Sequence, residues 1–293
     1  MTLVVWWVTC LLWSSVFLFI KVGLRDLPPV TFAAARLVLA SVILLPLLLV
    51  RGIQLPRRAE DWRVIGLAGL LLLGVNYALL FWGAQFIPSG LTAVLSAVTP
   101  AFALVFGHFM LRDEPFTWRA LGAIAIGVAG VAVISADQLH VAGRQAVLGC
   151  AAVTAGAACV AFAYVYVKAH RPAHMRPVVI SCAQMVCAAG PMVMFAAIRE
   201  GSPLDMRWTP AAVVSLLYLA VAGSILAAWL NYWLLERMSA TALLSMGLVE
   251  PVIAVLLGAV FLHERVTARA GVGGLLVLCS IFMIAISFQR SRT

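Results

Sequence analysis

The sequence predicts an all-α polytopic membrane protein, with ten transmembrane helices arranged as two inverted five-helix repeats. Of the 293 residues, 64% are hydrophobic and only 11% are charged. A soluble domain carries about 25% charged residues and is roughly half apolar. The second observation is a series of ten apolar segments, and the third is that motifs of the first half recur in the second half. The composition therefore predicts a membrane protein. The ten segments and the recurrence of motifs predict two five-helix repeats.

The ten apolar segments are separated by short loops. Their approximate bounds are 3–20, 30–50, 64–86, 90–111, 120–135, 147–167, 178–198, 210–234, 239–262 and 268–288. Most of them are long enough to cross a hydrocarbon core of about 30 Å. The first segment lacks a basic leader and a small-residue cleavage site, which favours a retained helix over a signal peptide. No loop is long enough to fold as a soluble domain, so the activity is expected inside the helical bundle.

The distribution of Lys and Arg predicts the orientation. Twelve of these residues lie at the chain ends and in the even-numbered loops, against seven in the odd-numbered loops. By the positive-inside rule, both termini are expected in the cytoplasm. The net charge of +9 is thereby explained by topology and by contact with anionic lipid headgroups. Nucleic acid is not expected as a partner.

Two sets of motifs recur between the halves of the chain, residues 1–138 and 139–293. With an offset of 151, the fourth segment's Ser96, Thr99, Pro100, Ala103 and Gly107 correspond to Gly247, Glu250, Pro251, Ala254 and Gly258 of the ninth. With an offset of 148, Pro29, Val30 and Arg36 correspond to Pro177, Val178 and Gln184. Each repeat holds five segments, an odd number, so the second is expected to be inverted. Inverted repeats are typical of secondary transporters, whose sites lie near the membrane midplane beside broken helices.

Motifs along nearly the whole chain carry a resemblance to a known family. They are Leu12-Trp13-Ser14-Ser15, Lys21, Pro28-Pro29 through Arg36, Thr99-Pro100 through Leu111-Arg112-Asp113-Glu114, and Val249-Glu250-Pro251 through Leu262-His263-Glu264-Arg265. In this order they resemble the ten-helix EamA-type exporters of the drug/metabolite transporter superfamily. The resemblance implies export of amino acids or related small metabolites across a bacterial inner membrane. Within the superfamily, the chain is most similar to aromatic amino-acid exporters, a comparison that rests on its aromatic residues.

Glu250 lies in the middle of an otherwise uncharged stretch, residues 239–262. A charge at that depth costs about 2.5–3.5 kcal/mol even on the mildest scale, so it needs a reason. Three interpretations stay open: Glu250 couples protons, pairs with a substrate ammonium, or is a structural partner for a nearby polar group. Pro251 beside it, and Pro100 at the corresponding place, are predicted hinge or gating residues, because proline frees a carbonyl one turn back.

Polar and aromatic residues in the middle of several segments are the other substrate-binding candidates. Together with Glu250 they are Trp13, Asn76, Tyr77, Phe81, Thr99, Tyr164, Trp229 and Tyr232. Rings with a polar edge suit a substrate that is part apolar and part zwitterionic. Interfacial anchoring is the alternative for the Trp and Tyr residues. Arg36 is interpreted as an anchor, as a tie between helices, or as a ligand for a substrate carboxylate.

Other functions find little support in the residues. His170 and His174 have the spacing of a metal pair, but Pro172 lies between them, so neither a metal nor a cofactor is expected. No phosphate-binding loop with Lys-Ser/Thr is present, which argues against ATP as the direct energy source. A membrane-embedded enzyme would need a nucleophile–base pair or a metal cluster, and none is apparent. The remaining alternative is a proton-coupled efflux pump for lipophilic cationic drugs that uses Glu250.

The expected partners are a small-molecule substrate and membrane lipids. Ten segments already contain both halves of the transport unit, so a monomer suffices. Small residues of the fifth and tenth segments, among them Ala123, Gly127, Ala270 and Gly274, are predicted to join the two halves.

Overall fold

The computed structural model describes residues 2–53, 55–56, 58–110, 122–123, 125–133, 136, 143–170, 177–235, 246–264 and 266–290. A few side chains inside these ranges, including that of Tyr232, lie outside the description. All regular structure in the described ranges is helical. The predicted all-α class is confirmed.

The first half contains the following elements. They are α1 (Thr2–Gly23), α2 (Pro29–Val50), α3 (Ala59–Gly69), the π-helix π1 (Leu70–Val75), α4 (Asn76–Ala84), α5 (Ser89–Ser96) and α6 (Thr99–Met110). Helices α3 and α4 are joined by π1 into one continuous segment. Pro29 opens α2, a position where its missing N–H would have had no partner within the helix.

The second half also contains long helices and one composite segment with a π-helix. It contains α7 (Arg144–His170), α8 (Pro177–Glu200), a short 3₁₀ helix (Pro203–Asp205), α9 (Pro210–Ala220), π2 (Val221–Leu226), α10 (Ala227–Leu235), α11 (Met246–Leu262) and α12 (Ala268–Arg290). Before α9, Thr209 caps the helix by accepting a hydrogen bond from the Ala212 N–H at 3.2 Å.

Within the described ranges, six helices are long and apolar enough to cross a membrane: Thr2–Gly23, Pro29–Val50, Ala59–Ala84, Ser89–Met110, Arg144–His170 and Val178–Glu200. Shorter apolar helices, Pro210–Leu226, Val249–Leu262 and Ala268–Ser280, fall within the predicted eighth, ninth and tenth segments. The predicted fifth segment is described only in part, with helical residues 122–123 and 125–133. The chain is a multi-pass membrane protein, and the number of ten crossings stays a prediction.

The segment around Pro100 is interrupted. Helix α5 ends at Ser96, a turn follows at 97–98, and α6 begins at Thr99. Because Pro100 has no N–H, it cannot donate to the carbonyl of Ser96 four residues earlier. The Thr99 hydroxyl donates to that carbonyl instead, at 2.7 Å. Pro251 differs, because it lies inside the continuous helix α11.

The helices pack in a small number of extensive pairs. Helix α2 lies along α8, and α5 lies along α11. Helix α1 contacts α9, α10 and α11, and α7 contacts α3, α4 and α6. Most buried apolar side chains form one hydrophobic core, to which Phe32, Leu37 and Phe81 of the first half and Leu219 of the second contribute. The core therefore joins the two halves of the chain.

Glycine permits the closest contact between α4 and α7. A Cβ atom on Gly83 would lie 2.7 Å from the carbonyl oxygen of Gly149, and one on Gly149 would lie 2.9 Å from that of Gly83. Both distances are shorter than real Cβ contacts. Only glycine at both positions allows these backbones to approach so closely.

Small residues also join the fifth segment to α12, as predicted. A Cβ on Gly130 would lie 2.7 Å from the Gly273 carbonyl oxygen. The Ser280 hydroxyl donates to the Ala123 carbonyl at 2.6 Å. Gly274 was predicted to contact the fifth segment as well. The nearest atoms to a Cβ on Gly274 would instead belong to Val94 of α5, at 3.8 Å.

Candidate functional site

Arg36 is the most completely buried charged residue in the described part of the chain, with 2% of its surface exposed. Its Nε donates to the Ser224 hydroxyl at 3.1 Å, and its Nη2 donates to the Gly223 carbonyl at 3.3 Å. The guanidinium carbon lies 4.7 Å from the centre of the Tyr77 ring, a cation–π distance. Arg36 thereby ties α2 to π2 and α4. A snorkelling anchor would expose its guanidinium, so that interpretation is wrong.

The π-helical turn explains why Arg36 finds acceptors there. A π-helix is wider than an α-helix, and single π turns are frequent at functional sites. The Ser224 hydroxyl also donates to the Leu219 carbonyl five residues earlier, at 3.0 Å. A Cβ on Gly223 would lie 2.9 Å from the Val16 side chain, so glycine is needed for α1 to approach. Sequence reasoning missed Gly223 and Ser224, although a Gly-Ser pair inside an apolar stretch was a usable signal.

The predicted binding residues of α4 occupy different environments. The Tyr77 ring lies beside Arg36, and its centre is 5.8 Å from that of Phe81. Phe81 is fully buried and packs edge-on against Phe32, so its ring belongs to the hydrophobic core in this conformation. Asn76 donates to the Leu72 carbonyl at 3.1 Å, as a side chain bonded back to its own helix.

The remaining predicted binding residues are spread over the bundle. Trp13 is half-buried on α1. Tyr164 on α7 and Trp229 on α10 are 60% and 59% exposed. Thr99 uses its hydroxyl at the interruption before Pro100. The side chain of Tyr232 lies outside the described residues. An enclosed binding site would bury its aromatic rings, and the rings of Tyr164 and Trp229 are largely exposed. Their roles in binding therefore stay predictions.

Glu250 lies where α11 packs against α1. Its carboxylate is within electrostatic range of the Cys10 thiol, and the neighbouring cluster contains Trp6, Leu234 and Met246. The residue is half-buried. Within the described part of the chain, its carboxylate makes no hydrogen bond or ion pair, so this structure offers no polar partner for the structural interpretation. Proton coupling and pairing with a substrate ammonium stay open.

Two cavities lie near the loops that follow α1, α4 and α11. The first, of about 210 Å³, is bordered mainly by apolar residues of α5, α11 and α12, including the predicted hinge residue Pro251. The second, of about 440 Å³, is bordered by Lys21, Arg25, Gln85 and Glu264 and is more polar. The described aromatic candidates border neither cavity. Glu264 borders both.

In the described residues, no group of three His, Cys, Asp or Glu side chains could hold a metal ion. The six cysteines are free thiols. Arg36 and Glu250 remain as the candidates for contact with a polar solute, because ionisable residues within membrane spans often mark the pathways of substrates and ions.

The chain belongs to the EamA-like transporter family, whose model matches residues 2–136 and 147–286. It is 29% identical over 285 residues to the uncharacterized transporter YoaV of Bacillus subtilis, covering 96% of each chain. It is 31% identical to the uncharacterized inner membrane transporter YedA of Escherichia coli, covering 85% of this chain and 78% of that protein. The chain is therefore a membrane transporter of this family.

Two further similarities concern substrate and fold. A probable terminal-alkyne amino-acid exporter of Streptantibioticus cattleyicolor is 29% identical, covering 94% of this chain and 90% of its own. One solved crystal structure superposes with a TM-score of 0.65 over 100% of this chain and 99% of its own, at 18% identity. At that identity the likeness concerns the fold alone.

Proposed function

We propose that this transporter exports neutral amino acids, aromatic ones among them, or related small metabolites by alternating access. The observation that carries the proposal is the pair of opposite charges enclosed in the bundle, Arg36 and Glu250. Within the described residues, neither forms an ion pair with another side chain. A zwitterionic substrate complements both, because its carboxylate suits a guanidinium and its ammonium suits a carboxylate.

The two charges lie at different depths along α1. Cys10 is the neighbour of Glu250, and Val16 packs against Gly223, whose carbonyl accepts from Arg36. Six residues of α-helix correspond to about 9 Å along the axis. A zwitterion that is hydrogen-bonded at both ends spans a comparable distance, so the proposal allows one amino acid to bridge the two groups or to meet them in succession. Trp13 lies midway between Cys10 and Val16 on α1, where a ring would contact an apolar substrate side chain.

An inverted repeat of residues 1–138 and 139–293 belongs to the same proposal, with five crossings in each half. The family model matches the chain twice, once in each half. The two π-helices begin at Leu70 and Val221, 151 residues apart, which is the offset of the proline motifs. The contacts of α1 with α9, α10 and α11 have counterparts in those of α7 with α3, α4 and α6. These correspondences support five crossings in each half. Both termini in the cytoplasm of a bacterial cell remain the expectation from the distribution of Lys and Arg.

Uptake of labelled amino acids into proteoliposomes tests the proposed substrate class. We expect saturable uptake of at least one neutral amino acid, measured with and without an imposed pH gradient. A dependence on the gradient that disappears in Glu250→Gln would assign proton coupling to Glu250. Protein-free liposomes are the control. Absence of flux for every amino acid tested would refute the proposed substrate class.

A proton-coupled pump for lipophilic cations is the second candidate. The carboxylate of Glu250, which has no polar partner in the described part of the chain, is the observation that favours it. Such a pump uses one carboxylate for both the proton and the drug, so Glu250→Gln would abolish coupled transport and drug binding together. An amino-acid exporter working by facilitated exchange would retain substrate exchange in the same variant.

A further inference from the structure

The chain after α1 (residues 24–28), α4 (85–88), α8 (201–209) and α11 (263–264) meets at one end of the bundle, which we call the odd-loop end. Three polar contacts there join residues of the first half to residues of the second. We propose that one of them, between Glu264 and the first turn of α5, is the latch of a gate that opens this end during transport. The proposal rests on the alternating access described above, and names the contact that must break in each cycle.

Glu264 holds the beginning of α5 through several hydrogen bonds. Its Oε1 and Oε2 accept from the Ser89 N–H at 2.8 and 2.9 Å, and Oε2 also accepts from the Ser89 hydroxyl at 2.8 Å. The Gly90 N–H points to the same oxygen at 3.5 Å. The first N–H groups of a helix have no partner within the helix, and its N-terminus attracts negative charge. A carboxylate therefore stabilises the N-terminus of α5. Here the carboxylate belongs to Glu264, 175 residues later in the chain.

The backbone after α11 aims Glu264 at this helix start. His263 has a φ of 54°, a left-handed conformation that ends a helix. The Glu264 N–H then donates to the Gly258 carbonyl at 3.2 Å, which folds the chain back along α11. A Cβ on Gly258 would lie 2.7 Å from the Ser89 hydroxyl, so glycine lets α11 come this close to α5. The latch is thus built from the end of α11 and the start of α5.

Lys21 holds the other side of the same turn. Its Nζ donates to the carbonyls of Ala84, Gln85 and Ile87 at 2.7, 3.1 and 2.7 Å, where α4 ends before α5. Lys21 and Glu264 are also close enough to attract each other. The turn between α4 and α5 is therefore held by a cation at its carbonyls and by a carboxylate at its N–H groups.

A second carboxylate closes the odd-loop end in the same chemical way. The oxygens of Glu200, at the end of α8, accept from the N–H groups of Val30 and Thr31 at 3.0 and 2.6 Å. This contact lies at the end of the extensive α2–α8 pair and lines neither cavity described above. It is the matched control for Glu264, since both carboxylates bind the first turn of a helix from the opposite half.

The cavities indicate which of the two contacts opens. Glu264 borders the polar cavity of about 440 Å³ next to Lys21 and also the apolar cavity of about 210 Å³ between α5 and α12. Glu264 is the residue that the two linings share, so we expect the apolar space to connect with the polar one when Glu264 leaves Ser89. Leu91 of α5 lines the apolar cavity and is buried, so it reports whether that space has opened.

The test compares Glu264→Gln with Glu200→Gln in a background carrying Leu91→Cys and no other cysteine. A membrane-impermeant maleimide is applied from each side of oriented vesicles, and no substrate is needed. An amide keeps the shape but loses the charge, and charged hydrogen bonds are roughly twice as strong as neutral ones. We expect labelling of Leu91→Cys from the odd-loop side to rise about tenfold in Glu264→Gln and to change less than about twofold in Glu200→Gln.

Equal labelling of Leu91→Cys in Glu264→Gln and in its parent would overturn the latch. Equal increases of labelling in Glu264→Gln and Glu200→Gln would also overturn it, because they would indicate a general loosening of the bundle. A second measurement replaces Ser89 and Glu264 together by cysteine and joins them with a short bifunctional methanethiosulfonate, which forms a disulfide with each thiol and releases methanesulfinate. We expect flux of a transported solute to stop on cross-linking and to return on reduction. Unchanged flux in the cross-linked protein would refute a moving gate. Absence of flux in the parent would refute the proposed substrate class, and the labelling result would still decide the gate.

Discussion

The contact between Ser224 and Arg36 makes a measurable prediction about stability. Replacing Ser224 by alanine removes the acceptor of the Arg36 Nε–H and leaves that donor buried without a partner. Hydrogen bonds between neutral groups in membrane proteins average about 0.6 kcal/mol. Bonds to a charged group contribute about 1.5–3 kcal/mol. We expect Ser224→Ala to lower the free energy of unfolding by about 1.5 kcal/mol, because the bonds to Gly223 and the ring of Tyr77 remain.

Ser215 is a matched control one helical segment earlier. It lies in α9, is also buried, and its hydroxyl has no hydrogen-bond partner within the described part of the chain. Removing an unpaired buried hydroxyl relieves a desolvation cost, so Ser215→Ala is expected to be neutral or slightly stabilising. The free energies are measured by titrating the protein in mixed micelles with SDS. Equal destabilisation by the two substitutions would refute the inference that Ser224 anchors a buried cation.

Two further stability predictions concern packing and capping. Gly83→Ala places a methyl group against the Gly149 carbonyl oxygen and is expected to lower the free energy of unfolding in micelles by about 1–3 kcal/mol. Gly66→Ala is the control, because the nearest atom to its added Cβ would lie at 3.8 Å. This change is expected to raise the free energy of unfolding by about 0.5–1 kcal/mol. Equal effects of these two changes would contradict the close α4–α7 contact. Thr209→Val removes both the cap of α9 and the hydrogen bond to Asp26 at 2.6 Å, so it should lower the free energy of unfolding by about 1 kcal/mol. Thr209→Ser keeps the hydroxyl, and its free energy of unfolding should remain within about 0.5 kcal/mol of wild type.

Much of the fold was predictable because a bilayer imposes simple demands on a sequence. Each crossing must satisfy its own backbone hydrogen bonds, so long apolar runs become helices almost regardless of their neighbours. The helices at 2–23 and 29–50 agree with the predicted segments 3–20 and 30–50 to within three residues. The interruption before Pro100 was likewise predictable, since the absence of an N–H at proline is a local property.

The site was less predictable, because it depends on which helix faces are brought together. Tyr77 and Phe81 share one face of the predicted helix, yet one lies beside a cation and the other is in the hydrophobic core. The Gly-Ser pair of π2, which supplies both acceptors of Arg36, marks a polar point in an apolar stretch, but nothing in the sequence of either π turn indicates the π geometry or the partner helix. Glu264 matched a family motif, but nothing in its neighbours indicated that it binds a helix 175 residues earlier in the chain.

By itself, then, the sequence determined the membrane class, the helical segments, the recurring proline motifs and the family resemblance. These properties follow from composition, from local backbone chemistry and from order along the chain. Only the tertiary structure decided that Arg36 is a buried tie, that Glu250 has no polar partner in the described part, and that Glu200 and Glu264 of the second half bind the starts of helices of the first half. Those outcomes depend on contacts between distant helices, where burial and geometry determine which charged groups find a partner.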